Sequence, residues 1–236
     1  RDDPLVQRLL GLNRLPEVAT LSRMLQEADA KSVANLRALL RELIFQRLRR
    51  LALARITLDF DGSVQSTSRR AEGTAVGYNQ KKKGARSYYP LFCTIAQTGQ
   101  VPDLFVPYQY GYEFKVVVTN KALSMAQVIA YHEGRGSQEG IFGELKSDVA
   151  MGYVPVRRWL GNQMYLLAGL LAHNLMREWQ METSCPCRKT TAQRAALWDF
   201  ERLHTFRSTV LQRAGRLTWP QGRLTLTVSA NCWIKA

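Results

Sequence analysis

Residues 56–63 read Ile-Thr-Leu-Asp-Phe-Asp-Gly-Ser, and this stretch decides the fold class. Polar and apolar residues alternate, so Thr57, Asp59 and Asp61 take one face of a strand, with Ile56, Leu58 and Phe60 on the other. Gly62-Ser63 ends or bends it. Upstream the period is helical. Thr20 is placed to cap a short helix through Gln26, and Ser32 to cap a longer one running to Leu51. In the second, Val33, Leu36, Leu40, Leu43 and Leu51 recur at helical spacing. Its arginines, among them Arg37, Arg41 and Arg47, suit a DNA-contacting helical region or the solvated faces of a bundle beside a core. Helices followed by alternating strands give an α/β chain with an N-terminal helical region, residues 1–54.

Beyond the strand, residues 64–87 are polar and basic. Lys81, Lys82, Lys83 and Arg86, spaced by Gly73, Gly77 and Gly84, make a mobile basic loop or ribbon able to touch phosphates. A strand is expected near Tyr88–Ala96, a turn at Thr98-Gly99, another strand near Tyr112–Thr119 and a long helix over Val156–Gln180. A basic region, 182–236, follows, with a helix near Thr191–Arg213 and a hairpin across Pro220-Gln221-Gly222.

The chain carries 33 Lys+Arg against 19 Asp+Glu, a net charge of +14, which favours a polyanionic partner; nucleic acid is the commonest. Its 4 cysteines are too few for a disulfide scaffold, and Cys185-Pro-Cys187 lacks the gap of a zinc knuckle. No signal peptide is legible at Arg1-Asp2-Asp3-Pro4, and the most apolar run, Met164–Ala172, is far short of the roughly 20 residues that span a bilayer. A cytoplasmic chain with free thiols and no membrane contact is expected. Trp159, Tyr165 and Trp179 read as core or dimer surface. There is no Walker loop, Rossmann fingerprint or serine triad.

The other informative stretch is His132–Lys146, HEGRGSQEGIFGELK. On a helix, Arg135, Glu139, Gly143 and Lys146 fall along one stripe. A carboxylate flanked by two cations suits a place where a metal meets a phosphate backbone; such ion pairs are also ordinary on solvated helices. Gly134, Gly136, Gly140 and Gly143 each weaken a helix by up to ~1 kcal/mol relative to alanine. Close approach of a DNA strand, or tight packing on the sheet, would account for them. His132 is placed to bond a phosphate, or serves a structural role. Carboxylates on a strand, Asp59 and Asp61, with a glutamate from a later helix, are the donor type for hard divalent ions. Two such ions stabilise both oxygens of an in-line displacement at phosphorus.

LDFDGS at 58–63, EGTAVGYN at 72–79, KKKGARSYYPL at 81–91 and HEGRGSQEGIFGELK together resemble bacterial insertion-sequence transposases of the DDE class. The group is the one marked by Tyr-x2-Arg-x3-Glu-x6-Lys. Arg135, Glu139 and Lys146 match that motif, while His132 stands where its tyrosine belongs. The resemblance runs from about Arg1 to Met181. It implies a shortened RNase H-like catalytic core over 55–181, with a mixed sheet and helices. It also implies Mg2+ or Mn2+, and cleavage and strand transfer of duplex DNA at transposon ends and target. In it Asp61 is the first catalytic carboxylate and metal ligand, with Asp59 as fallback, and Glu139 the last. His132, Arg135, Lys146, Lys81, Lys82, Lys83 and Arg86 are its expected DNA contacts. A homodimer and a bacterial, nucleoid-associated location are compatible with it. The family's second aspartate, on a strand well before the glutamate, has no counterpart here. An internal deletion near Gly99–Pro102 is inferred, with Asp103 and Asp148 poorly placed as substitutes. A non-catalytic DNA-binding remnant is the alternative.

Overall fold

The computed structural model describes residues 7, 11–53, 56–67, 70–77, 79, 82–105, 122, 124–126, 128, 137–189, 198–211 and 215–228. The expected strand at Tyr112–Thr119, and residues 191–197 and 212–213 of the expected helix near Thr191–Arg213, lie outside them. The chain is a mixed α/β protein that divides into two compact units, Ser22–Phe200 and Arg1–Leu21 with Glu201–Ala236.

In the larger unit, helix α1, Val18–Glu27, ends, and α2 spans Ala30–Leu51. The cap of α2 is Asp29, not Ser32: its carboxylate accepts the Ser32 amide at 2.7 Å, which frees the helix to start one turn earlier. Likewise α1 starts ahead of Thr20. Val33, Leu40 and Ile44 form the buried stripe of α2. They share one core with Leu166, Leu167 and Leu170 of the long helix α4, Trp159–Thr183. Leu40, Leu167 and Leu170 are wholly buried, each contributing roughly 2 kcal/mol of transfer free energy. Arg47, buried on α2, forks onto Glu178 of α4 at 2.6 and 2.8 Å and reaches Glu182 at 2.6 Å.

The strands form antiparallel pairs throughout the described residues, so the mixed sheet expected of the core is not seen there. Strands β1 (Leu58–Gly62), β5 (Leu91–Ile95) and β6 (Gln100–Phe105) make one sheet in the order β1-β5-β6; β2 (Gln65–Thr67), β4 (Arg86–Tyr88) and β3 (Ala75–Val76) make another in the order β2-β4-β3. The basic stretch 64–87 is therefore a structured ribbon. The single strand expected over Tyr88–Ala96 is broken at Tyr89-Pro90, because Pro90 has no N–H to give the ladder. Its carbonyl accepts the Ser63 amide at 2.9 Å, and Gly62 pairs with Leu91 before the bend as Gln65 pairs with Tyr88 after it. The two sheets are thus one bent ribbon in unbroken register.

Helix α4 begins at Trp159 rather than Val156. Its first amide donates to the carboxylate of Glu72 at 3.0 Å, while Glu72 N–H donates to the Arg157 carbonyl. Further along, Asn174 holds the backbone of Val101 with both side-chain atoms at 3.0 Å, closing the outer edge of β6. Gly161 lets α1 and α4 approach: a Cβ there would overlap the Leu25 carbonyl oxygen and stand 2.8 Å from Val156 Cγ2. No helix among the described residues is long and apolar enough to cross a membrane.

The smaller unit contains a short helix, α5 (Leu203–Phe206), continued by a wider turn over Arg207–Leu211, and then β7 (Gly215–Thr218) and β8 (Thr225–Val228). These two strands form the hairpin expected across Pro220–Gly222.

Candidate functional site

The site is built on the face of the first sheet that carries Asp59 and Asp61. Within β1 the burial is the reverse of a simple apolar-in pattern: Asp59 is buried, Asp61 half-buried and Leu58 exposed at 41%. Asp59 is in register with Thr94 and Asp61 with Phe92, so these four residues share one side of the sheet. Asp61 Oδ1 accepts the Gly62 amide at 2.8 Å, which orients the carboxyl at the strand's end.

That same side meets the glutamate helix. Helix α3 spans Ser137–Ser147, and its Phe142 ring packs on Phe92 with centroids 5.3 Å apart and planes tilted by 46°. Phe92 lies directly across from Asp61, and Phe142 lies one turn after Glu139. A single aromatic contact therefore brings β5, the strand paired with that of the aspartates, to the helix bearing the glutamate. Glu139 occupies the first turn of α3, and its side chain, like all of His132, Arg135 and Lys81, lies outside the described residues.

The sides of α3 divide cleanly. Phe142, Glu144 and Leu145 are buried; Gly140, Gly143 and Lys146 are exposed. The stripe read from sequence through Glu139, Gly143 and Lys146 thus runs along the open side. A Cβ added at Gly140 or Gly143 would meet nothing within 4 Å among the described residues, so tight packing on the described sheet is not the reason for these two glycines.

The helix is held from below by a pair that sequence reasoning missed. Glu144 makes a buried salt bridge to Arg177 of α4, whose guanidinium stands 4.6 Å from the centre of the Phe200 ring. Burial lowers the Arg177 pKa and the Glu144 charge opposes that fall. One turn earlier, His173 is wholly buried and donates from Nε2 to the Gly99 carbonyl at 3.0 Å. Burial first, and the Arg177 charge second, bring its pKa down to about 4, so it is a neutral structural residue at pH 7. The one legible signal for this layer was polar His173, Asn174 and Arg177 interrupting an apolar helix. Their inward side could be seen only once α4 had a sheet beneath it.

The described cations of the basic ribbon, Lys82, Lys83 and Arg86, are exposed. Lys82 and Lys83 are exposed beside the turn at Gly84, whose φ of +75° suits glycine. Arg86 is exposed and bonds Thr74: Nε donates to Oγ1 at 3.0 Å and Nη2 to the carbonyl. Its guanidinium ties β4 to the loop before β3, because a buried threonine carbonyl so close offers a stronger fixed partner than solvent.

The structure also bears on the second carboxylate. The β5–β6 hairpin closes through Gly99, at φ +60°, and β6 begins at Gln100. Asp103 pairs with Cys93, at a register position alternate to that of Phe92 and Asp61. Asp148 follows α3 and accepts the Ser147 hydroxyl at 3.0 Å. The oxygen donors of Asp59 and Asp61 fit a hard divalent cation in kind. No group of three or more His, Cys, Asp or Glu suited to a metal occurs among the described residues. A cleft lined by Gln26, Val156, Arg157 and Arg158 includes none of the expected residues. In comparisons with protein-family models, curated proteins and solved structures, the chain matches none.

Proposed function

We propose that this chain is a DNA transposase of the DDE class on a shortened RNase H-like core, cleaving and transferring phosphodiester bonds of duplex DNA. The observation that carries the reading is the Phe92–Phe142 contact, which joins the Asp61 register position to the helix of Glu139. The exposed stripe of Gly140, Gly143 and Lys146 adds to it: two helix-weakening residues, with nothing among the described residues within 4 Å of an added Cβ, leave room for a phosphate backbone beside a lysine. Asp61 and Glu139, with Asp59 as the fallback on the same strand face, would hold Mg2+ or Mn2+. Such a cation, when bound, stabilises charge on the attacking and leaving oxygens at phosphorus. Lys146 and Arg135 position the DNA strand, the lysine as a point charge and the arginine as a fork.

A second reading, a DNA-binding remnant without turnover, is favoured by the direct closure of β5 onto β6 at Gly99, where the family resemblance calls for a further aspartate strand. Supercoiled and linear duplex DNA incubated with Mg2+ or Mn2+ separates the two. Nicking or end cleavage that disappears in Asp61→Ala and in Glu139→Ala supports the transposase. Cleavage that persists in both variants sinks it. Salt-sensitive DNA binding with no cleavage under either metal supports the remnant, and no DNA binding at all removes both.

A further inference from the structure

The β7–β8 hairpin has a composition and shape the site above does not use. After Glu201 the sequence contains no acidic residue, while Arg202, Arg207, Arg213, Arg216, Arg223 and Lys235 all follow. The register Gly215↔Val228, Arg216↔Thr227, Leu217↔Leu226 and Thr218↔Thr225 puts Arg216, Thr218, Thr225 and Thr227 on one face. Arg216, Thr225 and Thr227 are exposed. The connecting turn carries Gln221 at φ +52° and Gly222 at φ +75°, and projects Trp219 and Arg223 into solvent. Trp219 Nε1 donates to the Gly222 carbonyl at 3.1 Å, which fixes the ring at the tip while 53% of the residue stays exposed.

We propose that this hairpin is a second DNA-contacting element, a ribbon that enters a groove of duplex DNA. A guanidinium and threonine hydroxyls on one face are donors for phosphate oxygens, with no carboxylate in the segment to repel them. Two strands about 4.8 Å apart fit a major groove about 12 Å wide. Arg216 and Arg223, on the polar face and at the turn, take phosphates. Trp219, a fixed flat ring at the leading end, packs on sugar or base edges. A protein partner on the Leu226 side, where that residue is 62% exposed, is the competing occupant, and it has no charge complementarity to recommend it. The proposal shares only the DNA partner with the catalytic reading and uses none of its carboxylates.

The test is the salt dependence of binding by the full chain to a labelled duplex of arbitrary sequence, followed by fluorescence anisotropy. Each lost phosphate contact lowers the slope of log Kobs against log salt by about 0.9. Arg216→Gln with Arg223→Gln is therefore expected to reduce the slope by about 1.8, and Arg216→Lys with Arg223→Lys to leave it unchanged. Trp219→Ala should weaken binding roughly tenfold at unchanged slope. All these positions are exposed, so the melting temperature should stay that of the parent chain. A wild-type slope in the double glutamine variant overturns the proposal. So does an association state that Leu226→Glu abolishes while every variant binds DNA like the parent. Loss of slope in a chain that cleaves nothing supports the ribbon and counts only against the transposase reading.

Discussion

Three helical glycines should respond to the same substitution with opposite signs. Gly140 and Gly143 lie on the exposed side of α3 with nothing within 4 Å of an added Cβ. Neither is among the glycines with positive φ, so alanine fits both without backbone strain. Each replacement removes the entropic handicap of glycine in a helix, about 1 kcal/mol. Gly140→Ala with Gly143→Ala should then stabilise the larger unit by about 2 kcal/mol, or roughly 4–8 °C in Tm for a unit of this size. Gly161→Ala gains the same propensity but drives a methyl into the Leu25 carbonyl, a backbone atom that cannot swing aside. Overpacking of that kind costs about 3 kcal/mol, leaving a net loss of about 2. Urea unfolding followed by tryptophan fluorescence reads both effects as shifts in midpoint at constant slope. If the open face receives DNA, the stabilised double variant must bind duplex DNA more weakly than its parent. A destabilised Gly140/Gly143 double variant would refute the open-face assignment, and unchanged DNA affinity would refute the purpose given to it.

Three other outcomes are expected. Glu144→Ala strands the Arg177 cation in the interior and should cost about 3–5 kcal/mol, whereas Glu144→Ala with Arg177→Met should recover most of that loss in the same unfolding assay; no recovery would mean the pair is not the cause. His173 is neutral in the folded chain down to about pH 4 but protonates near its ordinary 6.5 when unfolded, so the unfolded state binds the extra proton between those values. Its contribution is therefore whole above pH 6.5 and is lost as the pH falls toward 4, about 3 kcal/mol in total, and His173→Gln should flatten that part of the stability profile. Finally, Mn2+ at about a hundred times its Kd should stabilise the chain by about 2.7 kcal/mol; an equal rise in Tm in Asp61→Ala and Glu139→Ala would place the ion elsewhere.

The alternation of ITLDFD and the heptad-like leucines of α2 were legible because a strand's period of two and a helix's 3.6 are local properties of the chain. The turn at Gly99 and the hairpin at Pro220–Gly222 were legible for the same reason, since Gly and Pro act on their own φ and N–H. The break at Pro90 carried its signal too, in a missing donor, but the unbroken register on either side of it belongs to two strands at once. Asp29 displaced Ser32 as the cap because the choice depends on which carboxylate reaches a free amide, not on residue type.

Facing, by contrast, came from the packing of distant segments. Sequence put Arg86 on the basic ribbon by its charge, and its bond to Thr74 depends on the fold. Sequence left two explanations for the glycines of α3, and the absence of any neighbour removed one of them for Gly140 and Gly143. The stripe through Glu139 and Lys146 followed from helical pitch alone. That this helix leans on β5, the neighbour of the strand of Asp61, through one phenylalanine pair, depends on how a bent ribbon and α4 fill a common core. Pitch and pleat are set residue by residue, but which faces meet is settled by burying the most apolar surface at once, and no single stretch of sequence contains that sum.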